Sequence, residues 1–220
     1  EVKNLVTARN ITADLQGDYP WTEANPLLLT NVKVEALGGK ITMQQLRMPQ
    51  HDPALLRVDN ISSSELISAV NPKQFAMSGP VSGALPFWLD NEKWIIKDGW
   101  LTNPGPMTLR IDQDTADAIV KDNMVAGAAI NWLRYMEISQ SWTKLNVDNL
   151  GVLTMQAAIK GTSRVEGKSS FVNLNYTHEE NIFTLWRSLR FGDNLQTWFE
   201  QHAAIPLLRG STGKESEEQQ

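Results

Sequence analysis

Residues 151–160 read GVLTMQAAIK, and residues 170–177 read SFVNLNYT. In both segments an apolar side chain is followed by a polar or small one, so the apolar residues recur with a period of two. Because successive side chains of a strand point to opposite faces, each segment predicts a β-strand with one apolar and one wettable face. We expect the apolar faces to contribute to one surface that includes Leu153, Met155, Ile159, Val172 and Leu174.

Similar strand-like runs occupy most of the chain. They are separated by Gly, Pro, Asn and Asp, a pattern typical of strands joined by turns. The sequence therefore predicts a mainly β fold with a few helices, built on an extended antiparallel sheet or a sandwich. The predicted strands cover residues 5–14, 27–37, 40–48, 54–59, 74–78, 83–89, 93–102, 105–112, 137–147, 151–160 and 170–177.

Two segments inside this predicted sheet have helical character. Residues 62–70 begin with serines, and Glu65 follows Ser62 by three positions, which is a capping-box pattern. Residues 116–136 carry apolar side chains close to helical spacing after two residues suited to an N-cap. We expect both segments to be helices inserted in a sheet region that spans residues 1–180.

The end of the chain differs from the sheet region. Residues 181–204 carry Leu, Ile, Trp and Phe at helical spacing, so they predict a C-terminal helical cap in two pieces. Residues 205–220 are dominated by Gly, Ser, Glu and Gln and have little to bury, which predicts a disordered tail.

The composition excludes several functions. A chain of 220 residues with 41% apolar residues can bury a core. The net charge of −5 and the absence of a long Lys/Arg run argue against nucleic acid as a partner. Without cysteine there are no disulfides or thiolate metal sites. The sequence starts at Glu1 with no targeting pattern, so we expect a fragment and a targeting segment that lies upstream or was removed.

The residue types that carry chemistry do not cluster in the sequence. His51, His178 and His202 lack the spacing of metal ligands, and we interpret them as surface or structural histidines. Glu179 and Glu180 are interpreted as a solvated turn before the predicted terminal helix. No catalytic residue, metal site or cofactor is predicted. The eight tryptophans are spread over predicted strands and helices, which favours core packing over a carbohydrate-binding face.

Two further stretches carry a family resemblance. Residues 77–89 read MSGPVSGALPFWL, and residues 94–101 read WIIKDGWL before Asn103, Pro104 and Gly105. The pattern G-x-x-x-G-x-L-P before a strand, and I-x-x-G-x-L before a Pro/Gly turn, resembles the repeated hairpins of AsmA-like proteins. The predicted long helix and the segments after it resemble the YdbH-type branch of that family. The resemblance spans roughly residues 30–200.

The resemblance implies a fold and a function. The sheet would curve into an open hydrophobic groove, the β-taco type, with covering helices and with phospholipid acyl chains on the apolar inner face. The protein would lie in the periplasm and bridge the inner and outer membranes, anchored to the inner membrane by an N-terminal part that this sequence lacks. Its partner at the outer membrane would be a small lipoprotein of the YnbE type, and it would not be an enzyme.

Alternation of side chains does not by itself decide what covers the apolar face. A helix or a second sheet would cover it in a structural or carbohydrate-binding β-domain, which is the alternative function. Acyl chains would cover it in a lipid conduit. The sequence leaves both covers open.

The last predicted strand is a candidate docking edge for the implied lipoprotein. An open sheet has edges with unpaired N–H and C=O groups, and residues 171–176 contain no Pro, Lys or charged residue to protect such an edge. We expect the lipoprotein to add a strand there. An equally weighted alternative is that residues 181–204 cover this strand and the free edge lies elsewhere. The predicted contact residues are Phe171, Val172, Asn173, Leu174, Asn175 and Tyr176.

Overall fold

Each strand-like run of the sequence forms a strand, and all the strand pairs are antiparallel. The computed structural model describes residues 8–70, 75–114, 117, 134–165 and 167–182. Within these ranges there are eleven strands and the helix α1 (Ser63–Val70), and residues 113, 114, 117 and 182 are also helical. The strands are β1 (Ala8–Gln16), β2 (Leu27–Ala36), β3 (Gly39–Met48), β4 (Ala54–Ser62), β5 (Phe75–Ser78), β6 (Pro80–Phe87), β7 (Trp94–Thr102), β8 (Met107–Ile111), β9 (Tyr135–Asp148), β10 (Val152–Val165) and β11 (Lys168–Asn181).

All eleven strands belong to one sheet. Its hydrogen-bonded order is β1-β2-β3-β4-β6-β7-β9-β10-β11, with β5 paired to β8 and β8 also paired to β9. β5 and β6 therefore lie end to end, as do β7 and β8, and both β7 and β8 pair with β9. β1 and β11 occupy the two ends of the order and do not pair with each other, so the sheet is open. The predicted mainly β fold with an open antiparallel sheet is confirmed.

Interruptions of the hydrogen-bond register bend the strands. Register shifts occur in β4–β6 between Val58 and Ile61 and in β9–β10 between Lys160 and Gly161. A Cβ at Gly161 would lie 2.2 Å from the carbonyl oxygen of Glu137, so only glycine permits the two backbones to come this close. Bulges of this type bend and twist the strand that carries them. The sheet is therefore curved, as an open groove requires.

The helix α1 forms where its capping pattern predicts. The Ser62 hydroxyl accepts a hydrogen bond from the backbone N–H of Glu65 at 3.4 Å, which is the N-cap arrangement. The Ser63 hydroxyl donates to the carbonyl oxygen of Gly79 at 2.8 Å and ties the start of α1 to the break between β5 and β6. The prediction of a helix over 62–70 is confirmed, with its first helical residue at Ser63.

The other helical predictions differ from the structure at their ends or lie outside the described residues. The helix predicted over 116–136 falls mostly on 118–133, outside the described ranges, and its last two residues belong to β9. Met136 pairs with Leu109 on one side and Ser163 on the other and is fully buried, so sheet pairing determines its conformation. The cap predicted over 181–204 begins with Asn181, which ends β11. Residues 183–204 and the tail 205–220 lie outside the described chain.

Candidate functional site

One face of the sheet is apolar across the strands of its first half. The cross-strand register places Val32 opposite Met43, Met43 opposite Leu56, and Leu56 opposite Leu85. Residues that oppose each other in a sheet point to the same face. Met43, Leu46 and Ala54 form a buried cluster here, against which Leu29, Val32, Leu56 and Phe87 pack.

The apolar face continues into the second half of the sheet across Gly99. A Cβ at Gly99 would lie 2.9 Å from Leu85 Cδ2 and 3.2 Å from Leu145 Cδ1, so these two leucines close over the glycine from either side. Leu145 then opposes Met155, which carries the face onto β10. The apolar residues of both halves thus form one continuous surface, which we call the apolar face.

The five side chains predicted to share a surface all lie on the apolar face. Ile159 of β10 directly opposes Leu174 of β11, and Val172 opposes Gly161. Ile159 and Val172 pack against the buried cluster of Met107, Met136 and Ile138. Leu153 and Met155 follow in alternation on β10 and oppose Val147 and Leu145. All five are partly exposed, and their contact with lipid remains a prediction.

Among the described residues no second layer lies over this face. The helix α1 packs mainly against β4 and β5. Leu15 on β1, which opposes Leu29, remains 70% exposed. An apolar face needs an apolar partner to exclude water, whether that partner is protein or lipid.

The opposite face, called the outer face, is polar but carries one aromatic pair. Trp100 and Trp142 stack with ring centroids 5.1 Å apart and an interplanar angle of 10°. Trp142 opposes Ala158, which alternates with the apolar-face residues of β10. Its side chain is 46% exposed. The interpretation of the tryptophans as core residues is therefore wrong for Trp142, whose ring stacks on another indole of the outer face and not on the core. It is also wrong for Trp21, which is 40% exposed and contacts the exposed Tyr19.

The apolar face becomes polar along the last half of β11. Tyr176, His178 and Glu180 oppose Ala157, Met155 and Leu153, so they lie on the apolar face. We call these three residues the polar triplet. The interpretation of Glu179 and Glu180 as a turn is wrong: both pair in the β10–β11 ladder and point to opposite faces. The spacing of 176, 178 and 180 would have revealed the triplet, had β11 been predicted to extend that far.

Side-chain contacts organise the polar triplet. The Tyr176 hydroxyl hydrogen-bonds His178 Nδ1 at 2.9 Å, and their rings stack with centroids 5.8 Å apart. His178 Nε2 lies 3.5 Å from Glu180 Oε2, a distance too long for a good hydrogen bond. The carboxylate of Glu180 thus keeps most of its capacity to accept hydrogen bonds, and its side chain is 46% exposed.

The strand β11 forms a regularly paired edge of the sheet. It pairs with β10 through consecutive residues from Val152–Asn181 to Val165–Lys168 with no register shift. Its other side pairs with no strand among residues 8–70, 75–114, 134–165 and 167–182. Phe171 on the outer face of this edge is 93% exposed. The six predicted docking residues 171–176 all lie within this edge strand.

Other kinds of site are not found in the part of the chain that the structure describes. No group of three or more His, Asp or Glu residues there could hold a metal ion. No helix there is long and apolar enough to cross a membrane.

Comparison with known proteins identifies the family. The family model YdbH-like, described as intermembrane phospholipid transport protein YdbH, matches residues 1–204. The chain is 76% identical over all 220 residues to a protein of Escherichia coli (strain K12) named "Probable phospholipid transport protein YdbH". It spans 25% of the length of that relative. No solved structure matches the chain. Because the family model covers nearly the whole chain, this chain belongs to the YdbH-like family.

Proposed function

We propose that this chain is a segment of a conduit that carries phospholipid between two membranes, with acyl chains lying on its apolar face. The observation that carries the proposal is the continuity of that face across the sheet, from Leu15 on β1 to Leu174 on β11, without a protein layer over it in the described ranges. The name of the family and the name of the relative both refer to phospholipid transport.

The physical role of the apolar face is to keep acyl chains out of water. Exposure costs about 0.8 kcal/mol per methylene, so two chains of roughly 16 carbons represent on the order of 25 kcal/mol. Dispersion contacts with Leu, Ile, Val and Met are non-directional, so successive positions along the face differ little in energy. A lipid is therefore held in the groove without being held at one point.

The long axis of the conduit runs along the strand order of the sheet. Apolar residues oppose one another from strand to strand, so the apolar face extends along the sheet order and acyl chains pass from one strand to the next. We place the segment in the periplasm, where it forms the end of the conduit near the outer membrane. We further propose that the full-length protein is anchored in the inner membrane.

The regularly paired edge strand β11 supports docking of a small outer-membrane lipoprotein of the YnbE type. An incoming strand would pair with residues 171–176 and extend the apolar face with the same alternation. Backbone hydrogen bonds of about 0.5–1.5 kcal/mol each would supply affinity. Matching of apolar side chains across the new pair would fix the register.

The function is tested by the lipid content of the purified full-length protein. Native mass spectrometry, followed by solvent extraction, should find phospholipid bound without any being added. A structural or carbohydrate-binding β-domain, whose apolar face is covered by protein, would bring none. Absence of lipid from protein purified in a mild detergent would refute the conduit.

A further inference from the structure

We propose that the polar triplet of Tyr176, His178 and Glu180 binds the headgroup of phospholipids that carry a primary ammonium. This inference rests on the proposed conduit, because it assumes that acyl chains lie on the apolar face. It adds a site with headgroup preference to a surface whose other contacts are non-selective.

The position of the triplet suits an amphiphile. Glu180 directly opposes Leu153, and His178 opposes Met155, so polar side chains on β11 lie beside apolar side chains on β10. A lipid whose acyl chains lie on β10 would bring its headgroup to β11. Because β11 is the last strand of the described sheet, this contact falls at the end of the conduit.

The chemistry of the triplet indicates which class of headgroup it binds. The 3.5 Å contact with His178 leaves Glu180 without a close hydrogen-bond partner among the described residues, so its carboxylate is available for N–H donors. A primary ammonium supplies three such donors, whereas a glycerol headgroup supplies only neutral hydroxyls. The Tyr176 hydroxyl and the His178 ring lie between Glu180 and the apolar Leu174 along β11 and are hydrogen-bonded to each other. The donor that this pair leaves free, either the Tyr176 O–H or the His178 Nε2–H, can donate to the phosphate.

Local crosslinking tests the site in the purified full-length protein. A photo-crosslinking amino acid replaces Leu153 beside the triplet or, as a reference far from it, Leu56 on β4. The protein is incubated with vesicles of equal phosphatidylethanolamine and phosphatidylglycerol content, and the lipid adducts are identified by mass spectrometry. We expect ethanolamine adducts to be enriched about two- to five-fold at position 153 relative to position 56, the discrimination that a half-exposed ion pair provides.

Substitutions on the two faces of β11 test whether the polar triplet causes the enrichment. Glu180→Gln should remove it, while Glu179→Gln, which changes the same charge on the outer face of the same strand, should retain it. Tyr176→Phe and His178→Asn should each reduce it. Continued capture of lipid at position 56 shows that each variant is folded.

The outcomes separate this inference from the conduit. Lipid captured at both positions with the same headgroup composition would overturn headgroup recognition and leave the conduit intact. Loss of the enrichment in Glu179→Gln as well as Glu180→Gln would also overturn it, because overall charge would then be responsible. No capture at either position would overturn the conduit itself.

Discussion

The two edges of the sheet are built differently. At one end, the pairing of β1 with β2 is interrupted by two register shifts, and Asn10 and Asn31 adopt left-handed backbone angles of 50° and 53°. At the other end, β11 pairs with β10 along its whole length without a shift. Bulges displace the donors and acceptors that an incoming strand would need. The regularly paired β11 edge is therefore the better template for strand addition, and the irregular β1 edge is the poorer one.

The largest loss of stability is expected from a side chain at Gly161, where β9 and β10 approach each other beside the β11 edge. Gly161→Val would place a side chain within 2.2 Å of the Glu137 carbonyl oxygen and 2.7 Å of Met136 Cε, so β9 and β10 could not pair as they do. We expect a loss of about 3 kcal/mol or more in the free energy of unfolding, measured by denaturant titration. Gly167→Asn in the β10–β11 turn is the control, because no atom lies within 4 Å of its Cβ position and Asn tolerates a φ of 78°. Equal stability of the two variants would contradict the close approach of β9 and β10 at Gly161.

The comparison of edges is tested directly with proline. Asn173→Pro and Leu174→Pro remove successive backbone donors on β11, and one of these two donors points away from β10. The variant that keeps the melting temperature of the unmodified protein should bind the lipoprotein about ten-fold more weakly, which corresponds to the loss of one or two backbone hydrogen bonds. Thr12→Pro and Ala13→Pro make the same change on β1, and the folded one should bind normally.

Binding assays with purified lipoprotein decide between the edges. Full-strength binding by a folded β11 proline variant would show that this edge is not the docking site. Weakened binding by a folded β1 variant instead would reverse the assignment of the two edges.

A substitution on the outer face is expected to cause an intermediate loss of stability. Trp142→Ala removes the stacking partner of Trp100, and because Trp142 is half-exposed we expect a loss of about 1–2 kcal/mol in stability. Lipid binding should be unchanged, since the pair lies on the face opposite the apolar one. A double-mutant cycle with Trp100→Ala measures the coupling between the rings. Loss of bound lipid in a stable Trp142→Ala variant would contradict the division into two faces.

The smallest effect is expected at the β1 edge. Asn10 Nδ2 donates to Glu35 Oε2 at 2.6 Å on the exposed surface. Asn10→Gly removes this hydrogen bond and keeps the left-handed backbone, so the stability should change by no more than about 0.5 kcal/mol. A larger loss in thermal denaturation would mean that side-chain contacts, and not the backbone bulges, hold β1 in its irregular pairing.

The sequence predicted the strands well because their signal is local. A period of two, interrupted by turn residues, was enough to find all eleven strands and to assign Ile159 and Leu174 to one face. Strand ends were less accurate: β9 begins at Tyr135 and β11 reaches Asn181. Charged residues such as Glu179 look like a loop, although a strand with one solvated face accepts them.

The candidate site was only partly predictable for a different reason. Alternation shows which residues share a face, but it does not show whether another element covers that face. Cross-strand register also cannot be read from one strand, so the joining of the two halves over Gly99 and the setting of the polar triplet beside Leu153 required the structure. The stack of Trp100 and Trp142 depends on register in the same way.

Site-specific photo-crosslinking in cells tests the central claim most directly. Crosslinkers replace Met155 and Leu174 on the apolar face, and Gln156 and Asn173 on the outer face of the same two strands. We expect phospholipid adducts at the first two positions and none at the second two. Equal labelling of both faces, or labelling of neither, would contradict a conduit built on the apolar face.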